Sequence, residues 1–304
     1  MDPSGRRLEG SILTAVEESQ WQTGDLAEAL ETAQKSTALK EQQAAGGHTS
    51  IRLNLAEQYY LEGMILGKQD AEPSLQRTSD ALPKLRKGLE IADELASKDP
   101  NEERSRQVVA EIGLEVGNIL RHSHPREALS IYDQALARMR ETKSNPGSQQ
   151  VEADLLAASS YAARRVGLSK DADRRISEAS NFLRDSGAYP ADKVEPMSEA
   201  DHLLRAQADE YAATRQATKA VETYQLLLDK LMAWKPDLQN DLRDATCISR
   251  TWTALAQNLR RAGRAEEAAR MESQRSELLN HWKSKLPNGE FLLRQSLQQA
   301  FDKT

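Results

Sequence analysis

The residues best suited to chemistry are five histidines and one cysteine, and their spacing gives little support for a catalytic site. His122 and His124 stand two apart beside Pro125 and could share a metal ion, but no cysteine or carboxylate stands at ligand spacing beside them. We therefore expect a solvated turn there, and we predict neither a metal nor a cofactor. Cys247 has no histidine near it in sequence, so a buried structural thiol is expected rather than a nucleophile.

The short motifs that mark common active sites are also missing from the sequence. There is no His-Glu-x-x-His zinc motif and no Gly-x-Ser-x-Gly elbow, and Gly46-Gly47 opens no phosphate loop. Acidic pairs such as Glu266/Glu267 fall in first turns of predicted helices, where they complement the helix dipole. We predict that the chain is not an enzyme. The alternative is a helical-repeat enzyme or enzyme subunit, which predicts a closed polar pocket with displaced pKa values.

Charge and composition limit the partners and the location. The 304 residues include 41 Lys+Arg and 47 Asp+Glu, a net charge of -6, which disfavours a dedicated nucleic-acid binder. The two early arginines precede no apolar region of a secretory signal. The longest uncharged apolar-rich stretch, 155–163, is far shorter than the roughly 20 residues of a membrane helix. We expect a cytoplasmic protein with no membrane insertion and no nucleic-acid partner.

Good helix formers dominate the chain, and glycine and proline interrupt them at intervals. Between the interruptions, apolar residues recur at the spacing of an amphipathic helix, as in Trp252, Leu255, Ala256 and Leu259. The pattern predicts thirteen helices, at 8–21, 25–45, 49–67, 75–98, 102–122, 126–143, 150–166, 170–185, 198–215, 217–234, 238–262, 265–284 and 289–302. Short turns between successive helices indicate antiparallel pairs.

An internal repeat relates these pairs. In three of them a small residue of the first helix precedes a small residue of the second by twelve positions: Ser160 and Ala172, Ala208 and Ala220, Ala256 and Ala268. Other pairs fit less well. The Gly117 pair has a turn one residue shorter, and Ala56 aligns as a small residue only with a longer insertion before Ala81. In the first pair, Glu17 and Gln20 occupy the positions of the small and aromatic residues.

This spacing resembles the tetratricopeptide repeat, whose pattern runs Trp-x2-Leu-Gly-x2-Tyr…Ala-x3-Phe…Pro over 34 residues. The resemblance implies an all-α fold, a right-handed solenoid of about six helix–turn–helix hairpins with a C-terminal capping helix. It also implies a non-catalytic scaffold that binds a protein or peptide. We expect a disordered N-terminus at 1–7 and one repeat domain at 8–304, with a candidate joint in the proline-rich segment 187–196.

A narrower resemblance concerns the segments between hairpins. Residues 94–104 and 234–243 lead from a long second helix into the next hairpin and are similar to the repeat arrays attached to some bacterial serine/threonine protein kinases. The sequence holds no Gly-rich loop, His-Arg-Asp loop or Asp-Phe-Gly of the kinase domain itself. The chain would then be the non-catalytic part of such a protein.

In tetratricopeptide arrays the first helices line a concave groove, and the resemblance assigns positions to it. The candidate groove residues are Tyr60, Asn118, Arg121, Tyr161, Arg164, His202, Arg205, Arg250, Gln257 and Arg260. Five are arginines in an acidic protein, and arginine holds carboxylates through paired hydrogen bonds. We hypothesise that the groove accepts an extended acidic or carboxylate-terminated peptide. The alternative is that these arginines are solvated or paired with acids such as Asp209 and Glu111. The Lys/Asn clamp of chaperone-binding members is not evident.

Overall fold

Helices account for all the regular structure in the described part of the computed structural model, which covers residues 3–45, 47–69, 73–99, 102–287 and 289. The twelve helices are α1 (Pro3–Thr23), α2 (Leu26–Ala44), α3 (Thr49–Gly67), α4 (Thr78–Lys98), α5 (Glu103–Leu120), α6 (Pro125–Met139), α7 (Pro146–Arg165), α8 (Ser169–Asp185), α9 (Glu199–Ala213), α10 (Ala217–Trp234), α11 (Leu242–Arg261) and α12 (Ala265–Lys285). The predicted capping helix at 289–302 falls, apart from its first residue, outside the described residues. None of the twelve is both long and apolar enough to cross a membrane.

Local residue chemistry explains where these helices begin and end. Asn145 caps α7 by accepting a hydrogen bond from the Ser148 N–H at 3.0 Å, and the Ser148 hydroxyl accepts one from the Asn145 N–H at 3.0 Å. Asp241 caps α11 in a similar way, through the Arg243 N–H at 2.8 Å. After α11, Gly263 adopts a φ of +78°, a conformation that favours glycine at a helix end.

The helices form six antiparallel hairpins stacked in sequence. Each helix packs against its hairpin partner, and the second helix of each hairpin packs against the first helix of the next. The first helices α3, α5, α7 and α9 also contact one another in turn, so they form the inner layer. The small residues predicted at the crossings are all at most 1% exposed: Ser160, Ala172, Ala208, Ala220, Ala256 and Ala268. The predicted all-α helical repeat is therefore confirmed.

One alignment within the repeat was wrong. We predicted Ala56 as the small residue of the second hairpin, but the structure places Gly63 at its crossing, where an added Cβ would lie 2.5 Å from the Leu85 side chain. In the third hairpin, an added Cβ at Gly117 would overlap the Tyr132 ring in the equivalent way. Ala56 is buried seven residues earlier in α3, where its carbonyl lies beside Gly88 of α4. The insertion before Ala81 is consequently the loop that joins α3 to α4.

Replacing Gly117 with alanine should destabilise the fold by about 1–2 kcal/mol. The added methyl group overpacks the crossing against the Tyr132 ring, which outweighs the better helix propensity of alanine. Urea unfolding measures the loss. Gly147→Ala is the matched control, because a Cβ there approaches nothing closer than 3.3 Å, and an equal loss in both variants would contradict the packing argument.

The first two hairpins meet across a buried polar cluster. Glu17 is 2% exposed and accepts a hydrogen bond from the Gln58 amide at 3.1 Å, while the Lys40 ammonium donates to the Gln58 carbonyl oxygen at 2.6 Å. Glu62 of α3 is fully buried, 2.9 Å from Lys84 of α4. Burial, opposed by Gln58 and Lys40, raises the pKa of Glu17 to about 7. The glutamate that replaces a small residue in the repeat is thus accommodated by polar partners.

Two segments differ from the boundaries expected of them. Residues 3–7, predicted to be disordered, lie in α1, and Pro3 suits the first turn of a helix. The segment 187–196, predicted as a candidate joint, is held at both ends. The Tyr189 N–H donates to the Leu183 carbonyl at 3.0 Å, and buried Val194 donates its N–H to the Lys230 carbonyl of α10 at 3.1 Å. This anchoring argues against a free joint. One repeat domain at 8–304 stays a prediction.

The two ends of the stack touch each other. The turn between α1 and α2 contacts the last hairpin, because a Cβ added to Gly24 would lie 2.6 Å from a Leu286 methyl and 2.7 Å from a Leu242 methyl. The long loop after α3 supports the same region, since the Trp21 indole N–H donates to the Pro73 carbonyl at 2.8 Å. The six hairpins therefore form a nearly closed turn around the inner layer.

Candidate functional site

A pocket lies on the inner face, where side chains of five hairpins meet. We call it the concave pocket, and its lining residues are Lys68, Gln69, Leu114, Glu115, Asn118, Arg121, Asp154, Ala158, Tyr161, His202, Arg205 and Arg250. The centres of water-sized spheres can occupy about 40 Å³ of it, and the pocket is partly open to solvent. All but the first two residues come from the first helices α5, α7, α9 and α11 or, in the case of Arg121, from the position directly after α5.

The structure brings six of the ten predicted groove residues into this pocket: Asn118, Arg121, Tyr161, His202, Arg205 and Arg250. They lie in the first helices of four consecutive hairpins or, for Arg121, directly after one, so the predicted groove positions of these hairpins converge on one place.

The other four predicted residues do not line the concave pocket. Tyr60 is half-buried and packs against the core, and Gln257 is exposed on α11. Arg164 pairs with Glu210 at 2.7 Å. Arg260 is exposed and pairs with a glutamate of its own hairpin. These two arginines are engaged by acids of the protein itself, as the alternative hypothesis expects of such residues.

The acids that we named for this alternative have other partners. Glu111 pairs with Arg104 at 3.0 Å, not with a predicted groove arginine. Asp209 accepts hydrogen bonds from the Tyr161 hydroxyl at 2.7 Å and from the Tyr224 hydroxyl. Arg164 donates to the backbone carbonyl of Asp209, at 3.4 Å. The side chain of Asp209 therefore holds two tyrosines in place.

Tyr161 forms one wall of the pocket and is stacked against cations. The guanidinium of Arg121 lies 4.8 Å from the centre of the Tyr161 ring, and that of Arg164 lies 5.5 Å from it. Burial, together with the negative charge of Asp209, raises the pKa of Tyr161 well above its usual value, although Arg250 and Arg121 oppose the rise. The hydroxyl consequently stays protonated and keeps its hydrogen bond to Asp209.

Arg121 is only 4% exposed, and α5 and α6 fix its position. It donates to the Asn118 side-chain oxygen at 3.3 Å, and the Tyr132 hydroxyl donates to the same oxygen at 2.8 Å. The aromatic ring that packs on Gly117 thus also orients Asn118. Tyr132 therefore connects the helix crossing at Gly117 with Asn118 in the lining of the pocket.

Arg205 is the most deeply buried cation of the pocket, at 3% exposed. One of its terminal nitrogens donates to Asp201 at 2.8 Å and to the Thr251 hydroxyl at 2.9 Å. Asp201 also accepts from the Cys247 thiol at 3.1 Å. Burial alone would raise the pKa of Asp201, but Arg205, His202 and the thiol together lower it below its usual value. The pair is therefore a salt bridge between two ionised groups.

Cys247 is buried, as predicted, and its thiol donates a hydrogen bond to Asp201 of this salt bridge. Burial, and then the adjacent Asp201 charge, raise the pKa of its thiol well above the usual value. The thiol is a hydrogen-bond donor in this setting and not a thiolate nucleophile. Within the described ranges no group of three His, Cys, Asp or Glu side chains is arranged to hold a metal ion.

Two further pairs complete the wall. His202 of α9 contacts Asp154 of α7 through its Nδ1 at 2.7 Å. Lys68, at the end of α3, lies 3.6 Å from Glu115 of α5. Sequence reasoning missed Lys68 and its neighbour Gln69, because they belong to the insertion between α3 and α4. The only signal was the length of that insertion, which does not tell which way it folds.

Comparisons with known proteins support the fold. No family model matches the chain, and no curated protein matches it in sequence. It resembles the crystal structure of BtubC (BKLC) from P. vanneervenii with a TM-score of 0.56 and 14% identity, over 83% of this chain and 90% of that one. It also resembles a Rap protein complexed with Competence and Sporulation Factor, with a TM-score of 0.53 and 14% identity, over 91% of this chain and 77% of that one. At such identity the likeness shows an all-α helical repeat and nothing finer.

Proposed function

We propose that this chain is a non-catalytic interaction module that binds a protein or peptide partner through its concave pocket, and that the bound segment is acidic. The observation that carries the proposal is the convergence of Arg121, Arg205 and Arg250 on one pocket of a protein whose net charge is -6. Arginines placed this way favour carboxylates. The Rap neighbour, solved in complex with Competence and Sporulation Factor, supports partner binding by this fold in general terms.

The titratable groups in and beside the pocket favour binding over catalysis. The pKa of Tyr161, which lines the pocket, is raised well above the usual value. Next to Arg205, the pKa of the Cys247 thiol is also raised well above the usual value, while that of Asp201 is lowered. Each shift holds the group in its ordinary form at neutral pH, whereas a general acid or base needs a pKa near the working pH. Glu17 has a pKa of about 7, but it lies in the buried cluster between the first two hairpins and does not line the pocket.

Two finer assignments remain proposals of their own. The segments 94–104 and 234–243 are the support for a link to bacterial serine/threonine kinases, and a native reading frame that continues upstream into a kinase domain would establish it. The cytoplasm is proposed as the location, and fractionation of source cells tests it.

Reversing the charge of Arg250 should weaken partner binding at least tenfold, about 1.4 kcal/mol. Arg250 lines the pocket and is half-buried, so a glutamate there would repel an acidic segment. Affinity capture from lysate identifies the partner, and titration of the purified partner against wild type and Arg250→Glu measures the change.

Arg260→Glu is the matched control, because Arg260 lies on the same helix but is exposed and outside the pocket. It should change the affinity less than twofold, and circular dichroism should show the same helicity in all three proteins. Equal affinity of the two variants would contradict binding at the concave pocket. Arg205 and Arg164 are unsuitable for charge reversal, since each pairs with a buried acid, Asp201 and Glu210 respectively, whereas the glutamate that pairs with Arg260 is partly exposed.

A further inference from the structure

Arg205 carries more hydrogen-bonding capacity than its surroundings use. One terminal nitrogen is engaged by Asp201 and Thr251, but Nε and the other terminal nitrogen have no hydrogen-bond partner among the described residues. A guanidinium cannot release its proton at ordinary pH, so these buried donors keep a charge that water does not solvate. Leaving such donors unpaired costs free energy. A charged group of this kind in the wall of a pocket indicates that an acceptor binds there.

The charges of the residues that line the pocket indicate the net charge of the acceptor that binds there. Lys68, Arg121, Arg205 and Arg250 face two lining carboxylates, Glu115 and Asp154, which leaves a surplus of two positive charges when His202 is neutral. Asp201, which pairs with Arg205 without lining the pocket, reduces the surplus to one. With His202 uncharged, a monoanion therefore balances this lining better than a dianion does.

The shape of the pocket limits the ligand further. The cavity is small, about 40 Å³ for the centres of water-sized spheres, and partly open, so it suits a small group such as a carboxylate, while an extended chain would have to lie across the opening. Leu114, Ala158 and the Tyr161 ring supply apolar surface beside the arginines, where a short carbon skeleton can pack. A carboxylate on one or a few carbons satisfies both the charge and the surface.

We infer that the concave pocket is a binding site for a single carboxylate group, held by Arg205 with Arg121 and Arg250. The inference rests on the proposed function in taking the concave surface as the binding face, and it adds the chemical group that is recognised. The carboxylate comes either from a small organic acid or from a bound chain, at its terminus or on a side chain.

Sodium acetate is the first probe, and saturation-transfer NMR on its methyl group is the measurement. Wild type should bind acetate, while inorganic phosphate at equal ionic strength should compete less well than formate. Arg121→Gln and Arg250→Gln should each weaken acetate binding at least fivefold. Arg260→Gln should leave it unchanged. Arg205 is tested as Asp201→Asn/Arg205→Met, which removes the buried pair together, and this variant should lose the acetate signal.

Three capped peptides distinguish the sources. Acetyl-Gly-Gly-Gly with a free carboxylate presents a chain terminus, its amide presents none, and acetyl-Gly-Glu-Gly amide presents an internal side chain. If acetyl-Gly-Gly-Gly with its free carboxylate, or acetyl-Gly-Glu-Gly amide, binds more tightly than acetate, the carboxylate belongs to a bound chain. If acetate binds and neither peptide binds more tightly, the carboxylate belongs to a small acid. An acetate signal that survives in Arg121→Gln and in the double variant overturns the site. If lysate capture yields a partner but the protein does not bind acetate, the inference of a carboxylate site is overturned and the proposed function stands. If the protein binds acetate but no partner is captured, only the proposed function is overturned.

Discussion

Replacing Arg205 with methionine should lower the free energy of unfolding by about 3–5 kcal/mol. Methionine fills much of the space but leaves Asp201, which is 1% exposed, without its cation. The remaining hydrogen-bond partners of the carboxylate are the Cys247 thiol and the Met197 N–H, and neither carries a positive charge. Urea unfolding followed by circular dichroism measures the loss.

The control for this result is Asp201→Asn/Arg205→Met, which removes both charges of the pair. It should recover most of the stability, because the cost lies in the uncompensated carboxylate and not in the missing contacts. A double variant as unstable as the single one would show that the pair acts through packing. A loss of less than about 1 kcal/mol in the single variant would show that water or another polar group compensates the charge of Asp201 when Arg205 is absent.

Replacing Glu17 with glutamine should stabilise the protein by about 2–3 kcal/mol at pH 8 and change it little at pH 4. Burial raises the folded pKa of Glu17 to about 7, against an ordinary value of 4.5 in the unfolded chain. Between these values the folded protein binds the extra proton, so wild-type stability falls as pH rises from about 4.5 to 7 and is level above that. Glutamine keeps an acceptor for Gln58 and cannot ionise, so the variant should lose this dependence.

Denaturant midpoints measured from pH 4 to pH 8 test the prediction. Glu18→Gln is the matched control, since Glu18 is the next residue on α1 and is exposed. It should leave the pH dependence of the wild type in place. If Glu17→Gln and wild type kept the same slope between pH 4.5 and 7, then Glu17 would not be the group that titrates.

Residue patterns were sufficient to predict the hairpins and much of the inner layer. The spacing of small residues sets the register of α5, α7, α9 and α11, and that register puts Arg121, Tyr161 and Arg205 on one face, where they line the concave pocket. In α3 the alignment on Ala56 was seven residues from the observed crossing at Gly63. Seven residues are nearly two helical turns, so the error moved residues along the helix without changing the face they occupy.

Long-range pairing was the part that the residues could not reveal. Nothing in the local pattern shows that Thr251 and Cys247 of α11 meet the Asp201–Arg205 pair of α9, or that Lys68 turns inward from an insertion. These contacts depend on how neighbouring hairpins are rotated, which no single helix encodes. The buried Glu17 was visible only as a departure from the repeat, and its polar surroundings come from two other helices.

The contact between the first and last hairpins changes the way this array must fold. An open array of repeats behaves as a one-dimensional chain of units, whose ends can fray independently of the middle. Here Gly24 rests on Leu242 and Leu286, so the terminal units each have a second neighbour. The closing contact joins residues more than two hundred positions apart and can form only after the intervening hairpins have set the curvature. The first and last hairpins therefore unfold cooperatively with the hairpins in the middle of the stack.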